Sequence, residues 1–88
     1  MPKDKKTDIE QYVINRVKEI RIEKGLTQLD ISIMLSKSKG FVGQIESYIH
    51  PAKYNLNHLN ILAIELGVSP KDFLPEKGLS ESKKKKGK

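Results

Sequence analysis

The chain has 88 residues, no cysteine and a formal net charge of +6 at pH 7. This length fits one small domain with a single core, and the absence of cysteine excludes disulfide bonds and thiolate metal sites. The longest apolar run, ILAI at 61–64, is far too short to span a bilayer and the N-terminus lacks an apolar signal segment, so we expect a soluble, cytoplasmic protein.

The positive charge is concentrated at the two ends of the chain. Residues 1–8 hold three lysines and two aspartates, and residues 76–88 hold six lysines and two glutamates, whereas residues 9–75 hold eight basic and seven acidic groups. We therefore expect a flexible basic arm at 1–8, a folded domain at 9–75 and a disordered lysine-rich tail at 76–88. Such ends attract polyanions without regard to sequence, but they are also typical of solvated termini. Composition alone does not establish nucleic-acid binding.

The first predicted helix covers residues 9–24. Its apolar side chains recur at the helical spacing, with charged residues between them: Val13, Val17 and Ile20. Gly25 follows, at a position where helices commonly end in a left-handed residue. Thr27 and Asp30 then form an acidic variant of the capping box, which predicts a second helix at about 28–35. Its inward side chains are expected to be Leu35 and either Leu29 or Ile31.

The third predicted helix, at about 38–48, has one apolar and one polar side. Ser38 is its expected N-cap, and Pro51 excludes any continuation beyond it. The apolar positions are Val42, Ile45 and Ile49. The opposite side carries small and polar residues: Lys39, Gly40, Gly43, Gln44 and Ser47. Each glycine inside a helix costs about 1 kcal/mol of stability relative to alanine. The two glycines therefore indicate that this side of the helix needs room for another group.

The sequence contains the start signals of two further helices. Asn55 is expected to cap a fourth helix that Gly67 ends, with an inward stripe of Leu56, Leu59, Leu62, Ala63 and Leu66. A serine, a proline and an aspartate repeat the start pattern for a one-turn fifth helix, at Ser69, Pro70 and Asp72. In it, Phe73 and Leu74 are expected to close the core. Since no segment alternates as a strand would, we predict an all-α, five-helix domain.

Two short helices joined by a tight turn, the second with a small polar front, are typical of a DNA-reading helix-turn-helix. The stretches EIRIEKGLTQLDISIMLSKSKGFVGQIES and LNILAIELGVSPKDFL resemble the lambda-repressor and Cro-like helix-turn-helix family of bacterial and phage regulators, over about residues 12–75. The resemblance implies a lambda-repressor-like bundle whose second and third helices form the helix-turn-helix, with the third in the major groove. It also implies a sequence-specific, nucleoid-associated regulator of double-stranded DNA that acts as a dimer on a two-fold operator.

The resemblance also assigns the base-facing positions. Lys39, Gly40, Gly43 and Gln44 match them, and only the lysine and the glutamine carry side chains that can bond to a base edge. Lysine suits the guanine O6 and N7 acceptors, and glutamine can bond to adenine N6 and N7. Phe41 falls near the same groove, where it either presses on a thymine methyl or packs at the rim of the core.

Six residues are candidates for contact with the sugar-phosphate backbone. Gln28 matches the family's glutamine in the first turn of the second helix, where unpaired N–H groups favour phosphate. The others are polar residues of the turns and loops: Ser36, Ser38, Lys53, Tyr54 and Asn55. For Ser38 and Asn55, capping a helix is the competing role. The family commonly has glycine and a small apolar residue where this chain has Ser36 and Lys37, so we expect a looser turn or a left-handed residue there.

Several apolar residues occupy positions that are mostly polar in the family: Ile22, Ile33, Met34, Ile61 and Ile64. If they are exposed, they form a surface for dimerisation or for another partner; otherwise small helix shifts bury some of them. This leaves a second hypothesis, an antitoxin-like or regulatory protein-interaction module on the same fold.

Other chemistry has little support in the sequence. GFVG at 40–43 fits the G-x-x-G of KH domains, but that module needs strands. His50 and His58 have no nearby cysteine, so we predict no metal site. No residue pattern marks a nucleophile with an orienting base. We therefore predict a protein that is not an enzyme and that needs no cofactor or small-molecule ligand.

Overall fold

Four α-helices make up most of the structure, a computed structural model that describes residues 6–80. In chain order they are α1 (Asp8–Glu23), α2 (Gln28–Met34), α3 (Phe41–Glu46) and α4 (Leu56–Leu66). No strand occurs within the described range, so the predicted all-α class is confirmed. The fifth predicted helix is a single 3₁₀ turn at Pro70–Phe73. Residues 1–5 of the predicted arm and 81–88 of the predicted tail lie outside the described residues.

Capping side chains start three of these helices. Thr7, Thr27 and Asn55 precede α1, α2 and α4, and each accepts a hydrogen bond from the backbone N–H three residues later. In return, the side chain at that third position accepts a hydrogen bond from the N–H of the cap, so two otherwise unpaired donors are satisfied. The predicted caps Thr27 and Asn55 are confirmed.

The same three helices end in one kind of turn. At each of these ends, the left-handed residue and the residue after it donate backbone hydrogen bonds back into the last helical turn, in the pattern of a Schellman motif. The left-handed residue is Gly25 after α1 and Gly67 after α4, each with φ of 72°. After α2 it is Ser36, with φ of 58°, which confirms the expected left-handed residue. A serine in this conformation costs about 1 to 3 kcal/mol, a strain that glycine would avoid.

The core fills the space between the helices and the 3₁₀ turn. Its most deeply buried large side chains come from every element: Ile14, Val17, Ile31, Val42, Ile45, Leu62 and Phe73. Full burial of each such side chain contributes about 1.5 to 3 kcal/mol. Phe73 matters most for closure, because its turn packs against both α1 and α4.

Of the two alternatives predicted for α2, Ile31 is the buried one and Leu29 is exposed. Two other predicted inward positions are wrong: Leu56 and Leu74 are exposed, whereas Leu59 and Phe73 are buried. Leu56 is the first residue of α4, one turn before the helix reaches the core. Ile49 is exposed because α3 ends at Glu46, where Ser47 takes an extended conformation with ψ of 130°.

The start of α3 also differs from the prediction. Ser38 does not cap the helix with its side chain; its carbonyl accepts the Phe41 N–H at 3.1 Å, in a turn that precedes the helix. Gly40 occupies the N-cap position, and no side chain caps α3. Gly40 therefore lies at the boundary of the helix, and only Gly43 lies inside it.

Candidate nucleic-acid interface

The inner side of α3 is fixed by two other helices. Val42 and Ile45 are fully buried, and α3 packs against both α1 and α2. At its first turn, the Val42 N–H donates to the hydroxyl of Ser32 on α2 at 3.1 Å, and Ser32 has no solvent exposure. Since this bond replaces the missing cap, it sets how α3 lies on α2.

The residues that the sequence assigned to base reading lie on α3 and in the connection that leads into it. Gln44 is exposed on the helix, and Lys39 and Gly40 are exposed in the connection that leads into it. Neither the Lys39 nor the Gln44 side chain forms a hydrogen bond or ion pair with any of residues 6–80. Two side chains that can bond to base edges, those of Lys39 and Gln44, are therefore exposed and unbonded.

Phe41 lies half-buried between this surface and α4. Its ring meets the His58 ring edge-on, with centroids 5.4 Å apart and an interplanar angle of 75°. The Lys37 ammonium lies 5.5 Å from the centroid of the same ring. The structure thus places Phe41 at the rim of the core, which corresponds to the second of its two expected roles.

Gln28, the expected phosphate contact on α2, belongs to a polar cluster that sequence reasoning missed. Glu46, the last residue of α3, accepts hydrogen bonds from Arg21 Nε at 3.0 Å, from Arg21 Nη2 at 2.8 Å and from Gln28 Nε2 at 2.8 Å. A third nitrogen of Arg21 donates to the Leu26 carbonyl at 3.0 Å. The cluster therefore joins α1, the loop before α2, and the end of α3.

The two charges of this cluster are largely shielded from water. The Arg21 and Glu46 side chains are 11% and 5% exposed. Burial by itself raises the pKa of Glu46, but the hydrogen bonds from Arg21 and Gln28 outweigh it and hold that pKa below its ordinary value. The hydrogen bonds to Glu46 likewise raise the pKa of Arg21. The carboxylate remains ionised and its charge is neutralised locally.

Gly43 has a packing role in the same cluster. A Cβ atom at this position would lie 3.3 Å from Oε1 of Gln28, closer than most such contacts. The missing side chain therefore leaves the room through which Gln28 reaches Glu46. A Cβ at Gly40 would meet no atom within 4 Å, so packing does not require glycine there.

The remaining phosphate candidates are dispersed. Ser36 and Ser38 are exposed in the α2–α3 connection, and Lys53 pairs with Glu10 of α1 at 3.1 Å. Asn55 uses its side-chain oxygen to accept the His58 N–H at 2.8 Å.

Tyr54 is buried, contrary to its expected position at the surface. Its hydroxyl is shielded from water and has no hydrogen-bond partner among residues 6–80, and burial raises its pKa. The ring packs edge-on near His58 with centroids 6.1 Å apart. Tyr54 is thus a core residue in this arrangement, and its hydroxyl cannot reach a phosphate without a rearrangement of the loop.

The two histidines form local bonds. Nδ1 of His50 accepts the Ala52 N–H at 3.1 Å, and Nδ1 of His58 accepts the Asn55 N–H at 3.1 Å. Within residues 6–80, no group of three or more histidine, aspartate or glutamate residues is placed to hold a metal ion. Nor is any helix in that range long and apolar enough to cross a membrane.

The apolar residues that the sequence singled out do not share one environment. Ile22, Ile33 and Ile64 are more than half exposed, Ile61 is exposed to a lesser degree, and Met34 packs against the core. The exposed ones are distributed over α1, α2 and α4. Both expected outcomes occur: the four isoleucines are exposed, and Met34 is partly buried against the core.

Comparison of the chain with protein-family models, with curated proteins and with solved structures gives no match.

Proposed function

We propose that this protein is a sequence-specific regulator of double-stranded DNA, in which α2 and α3 act as a helix-turn-helix and α3 reads the major groove. The observation that supports this most is the two-sided environment of α3. Val42 and Ile45 are fully buried on one side of the helix, while the side chains of Gln44 on the other side and of Lys39 in the preceding connection are exposed and unbonded. A helix held in this way can present polar side chains to base edges without loss of its own packing.

Gln28 supports the same proposal. Its amide nitrogen carries two hydrogens, and one of them bonds to Glu46. The second remains available to a phosphate oxygen, and the bond to Glu46 restrains the amide before DNA arrives. Because Arg21 neutralises Glu46, the acidic residue at the end of α3 does not oppose the approach of a polyanion.

The charge distribution indicates which parts of the chain contribute to specific and to non-specific affinity for DNA. The domain at 9–75 is nearly neutral, and the lysines are concentrated at the two ends of the chain. We expect base contacts from α3 to supply specificity and the terminal lysines to supply general attraction that weakens with salt. For a dimer, the half-sites should lie about 10 base pairs apart.

Selection from random duplex DNA, followed by affinity measurement on the selected sequence, tests the proposal. Lys39→Ala and Gln44→Ala should each lower affinity about 5- to 150-fold and relax the preference at one base pair, because a good base contact is worth about 1 to 3 kcal/mol. Lys71→Ala is the charge-matched control, since Lys71 is exposed on the 3₁₀ turn after α4. Asn60→Ala, on the exposed side of α4, is the polar control.

Three results would contradict the proposal. The first is a selection that enriches no sequence. The second is an unchanged sequence preference in both the Lys39 and the Gln44 variant, and the third is a loss of affinity in the two controls equal to the loss in these variants.

A second candidate function is a protein-interaction module on the same fold. The isoleucines at 22, 33 and 64, each more than half exposed on a different helix, favour it, because large apolar side chains gain free energy when a partner removes them from water. Sedimentation with and without duplex DNA at low salt separates the two: a protein that ignores DNA favours the interaction module.

A further inference from the structure

A lysine in the connection between α2 and α3 lies against the first residue of α3. The Lys37 ammonium is over the Phe41 ring, 5.5 Å from its centroid, at a distance typical of a cation–π contact. The Lys37 side chain forms no hydrogen bond or ion pair with any of residues 6–80. Residues 35–44 contain no aspartate or glutamate, so no acidic residue near it in sequence competes for the charge. Lys37 therefore carries a cation that is held but not neutralised.

Both partners of this contact are fixed by the fold. The Lys37 N–H donates to the Ser32 carbonyl at 2.9 Å, which ties the backbone of the lysine to α2. The Phe41 ring is half-buried against the core and meets the His58 ring edge-on, with centroids 5.4 Å apart. A rotation of the Phe41 ring away from Lys37 would break its contact with α4.

The same ammonium also acts on the start of α4. Burial, with a smaller contribution from the Lys37 charge, lowers the pKa of His58. His58 lies in the first turn of α4, and Phe41 is the first residue of α3. The ammonium is therefore held between the starts of two helices rather than extended away from the domain.

We propose that Lys37 contacts a DNA phosphate at the edge of the major groove and that Phe41 positions its ammonium for this contact. The inference rests on the proposed function, to which it adds one phosphate contact and one positioning residue. A segment that leads a helix into the groove passes the phosphates at the edge of that groove, and residues 35–40 are this segment. An ammonium donates up to three charge-assisted hydrogen bonds, which suits the oxygens of a phosphate.

The ring contact favours binding because it restrains a flexible side chain. A lysine that moves freely in solvent loses much of its rotamer freedom when it binds a phosphate. Contact with the Phe41 ring restricts Lys37 before DNA arrives, so less freedom is lost on binding. Phe41 performs this role from the rim of the core and needs no contact with a base.

Titration of His58 by NMR in the free chain tests the position of the ammonium without DNA. Lys37→Ala should raise the pKa of His58, because the variant removes a nearby cation. Lys39→Ala is the matched control: it removes another exposed lysine of the same connection, whose charge does not contribute to the shift at His58. An unchanged pKa in the Lys37 variant overturns the inference, as does an equal rise in both variants.

The salt dependence of affinity for the selected DNA sequence tests the phosphate contact. Lys37→Ala should reduce the slope of log affinity against log salt by about one. At about 0.1 M salt the affinity should fall up to about eightfold, the counterion-release contribution of one contact. The preferred sequence should not change, because a phosphate contact carries no base information.

Two further variants control this measurement. Lys37→Arg should retain the native slope, because arginine keeps the charge and stacks on aromatic rings. Lys71→Ala removes an exposed lysine from the 3₁₀ turn after α4 and should also leave the slope unchanged. An equal reduction of the slope in the Lys37→Ala and Lys71→Ala variants overturns the inference, because the effect would then reflect net charge alone.

A double-mutant cycle tests the positioning role of Phe41. Phe41→Leu should lower affinity about 2- to 5-fold in the native background, the range of an exposed cation–π contact. It should have no effect when Lys37→Ala is already present. Equal losses in the two backgrounds would show that Phe41 acts without Lys37, for example on a thymine methyl, and would overturn the positioning role. Urea unfolding checks that the Phe41 variant is folded, and the slope of the Lys37 variant stands without it.

The outcome is separable from that of the proposed function. A chain that selects no DNA sequence rejects the proposed function and this contact with it. A chain that selects a sequence, but whose salt slope is unchanged by Lys37→Ala, retains the proposed function and overturns this inference.

Discussion

The helices α3 and α4 are neighbours in the chain and are stabilised in different ways. α4 has 11 residues, a complete capping box at Asn55 and a left-handed Gly67 at its end. α3 has 6 residues, a glycine inside it and no side-chain cap. Isolated helices shorter than about 12 to 15 residues are marginal in water, and α3, which is the shorter of the two and has no side-chain cap, depends more strongly on the groups that pack around it. The proposed DNA-reading helix therefore forms because other parts of the fold pack against it, whereas α4 also has strong local signals at both of its ends.

The dependence of α3 on its neighbours has a functional consequence. Its inner residues and its last residue carry the structural contacts, through Val42, Ile45 and Glu46. The side chains of Gln44 and of Lys39 before the helix form no hydrogen bond or ion pair with the described residues. Substitutions at those outer positions can alter DNA preference without a large loss of stability.

Removal of Glu46 should have the largest effect on this arrangement. Glu46→Ala leaves the Arg21 charge buried without its partner, which costs about 3 to 5 kcal/mol of unfolding free energy. Glu19→Ala is the control: the Arg16–Glu19 pair is at 2.6 Å but its side chains are 32% and 60% exposed, and such pairs contribute about 0 to 1 kcal/mol. Urea unfolding measures both. Similar losses in the two variants would show that α3 does not depend on the buried pair.

Removal of the Ser32 hydroxyl should have an intermediate effect. Ser32→Ala leaves the buried Val42 N–H without an acceptor, at a cost of about 1 to 3 kcal/mol. Ser38→Ala, at the residue that the sequence marked as the cap, should change the unfolding free energy by no more than about 0.5 kcal/mol because its side chain caps nothing. If the Ser38 variant were the less stable of the two, α3 would have a local cap after all.

The smallest effect concerns the start of α4 and its pH dependence. Burial, with a smaller contribution from Lys37, lowers the pKa of His58, and its Nδ1 can accept the Asn55 N–H only when neutral. The unfolded chain therefore takes up the proton first, so stability should fall as pH decreases from about 6.5, the ordinary histidine pKa, through the lower folded value.

His58→Gln tests this, because a glutamine at the third position can keep the capping box without a charge change. Unfolding midpoints measured between about pH 5 and 7 should vary less in the variant than in the native chain. An unchanged pH dependence would show that His58 does not carry it.

The parts of the fold that the sequence predicted correctly share one property. The caps at Thr27 and Asn55, the left-handed ends at Gly25 and Gly67 and the start at Ser69 all involve groups within about five residues of each other. Apolar spacing then identified the inner faces of α1 and α4. The base-reading positions and the DNA-binding role remain predictions, because they depended on a resemblance that the structure does not test.

The errors arose where distant groups compete with local signals. Ser38 is of a residue type that commonly caps helices. In the structure, however, the buried Val42 N–H in the first turn of α3 donates to the hydroxyl of Ser32 on α2 instead. Tyr54 was expected to contact a phosphate from the loop, yet its ring completes the core. Neither outcome has a signal in the local sequence.

The sequence by itself determined the helical class, most helix boundaries and the side of each long helix that faces inward, because hydrogen bonds and spacing within a few residues decide these features. Only the tertiary structure decided how α3 is held. Arg21 and Glu46 are 25 residues apart and meet at 2.8 Å, and Gly43 leaves room for a glutamine from another helix. Such contacts depend on how the helices pack around a shared core, which no local pattern of residue types encodes.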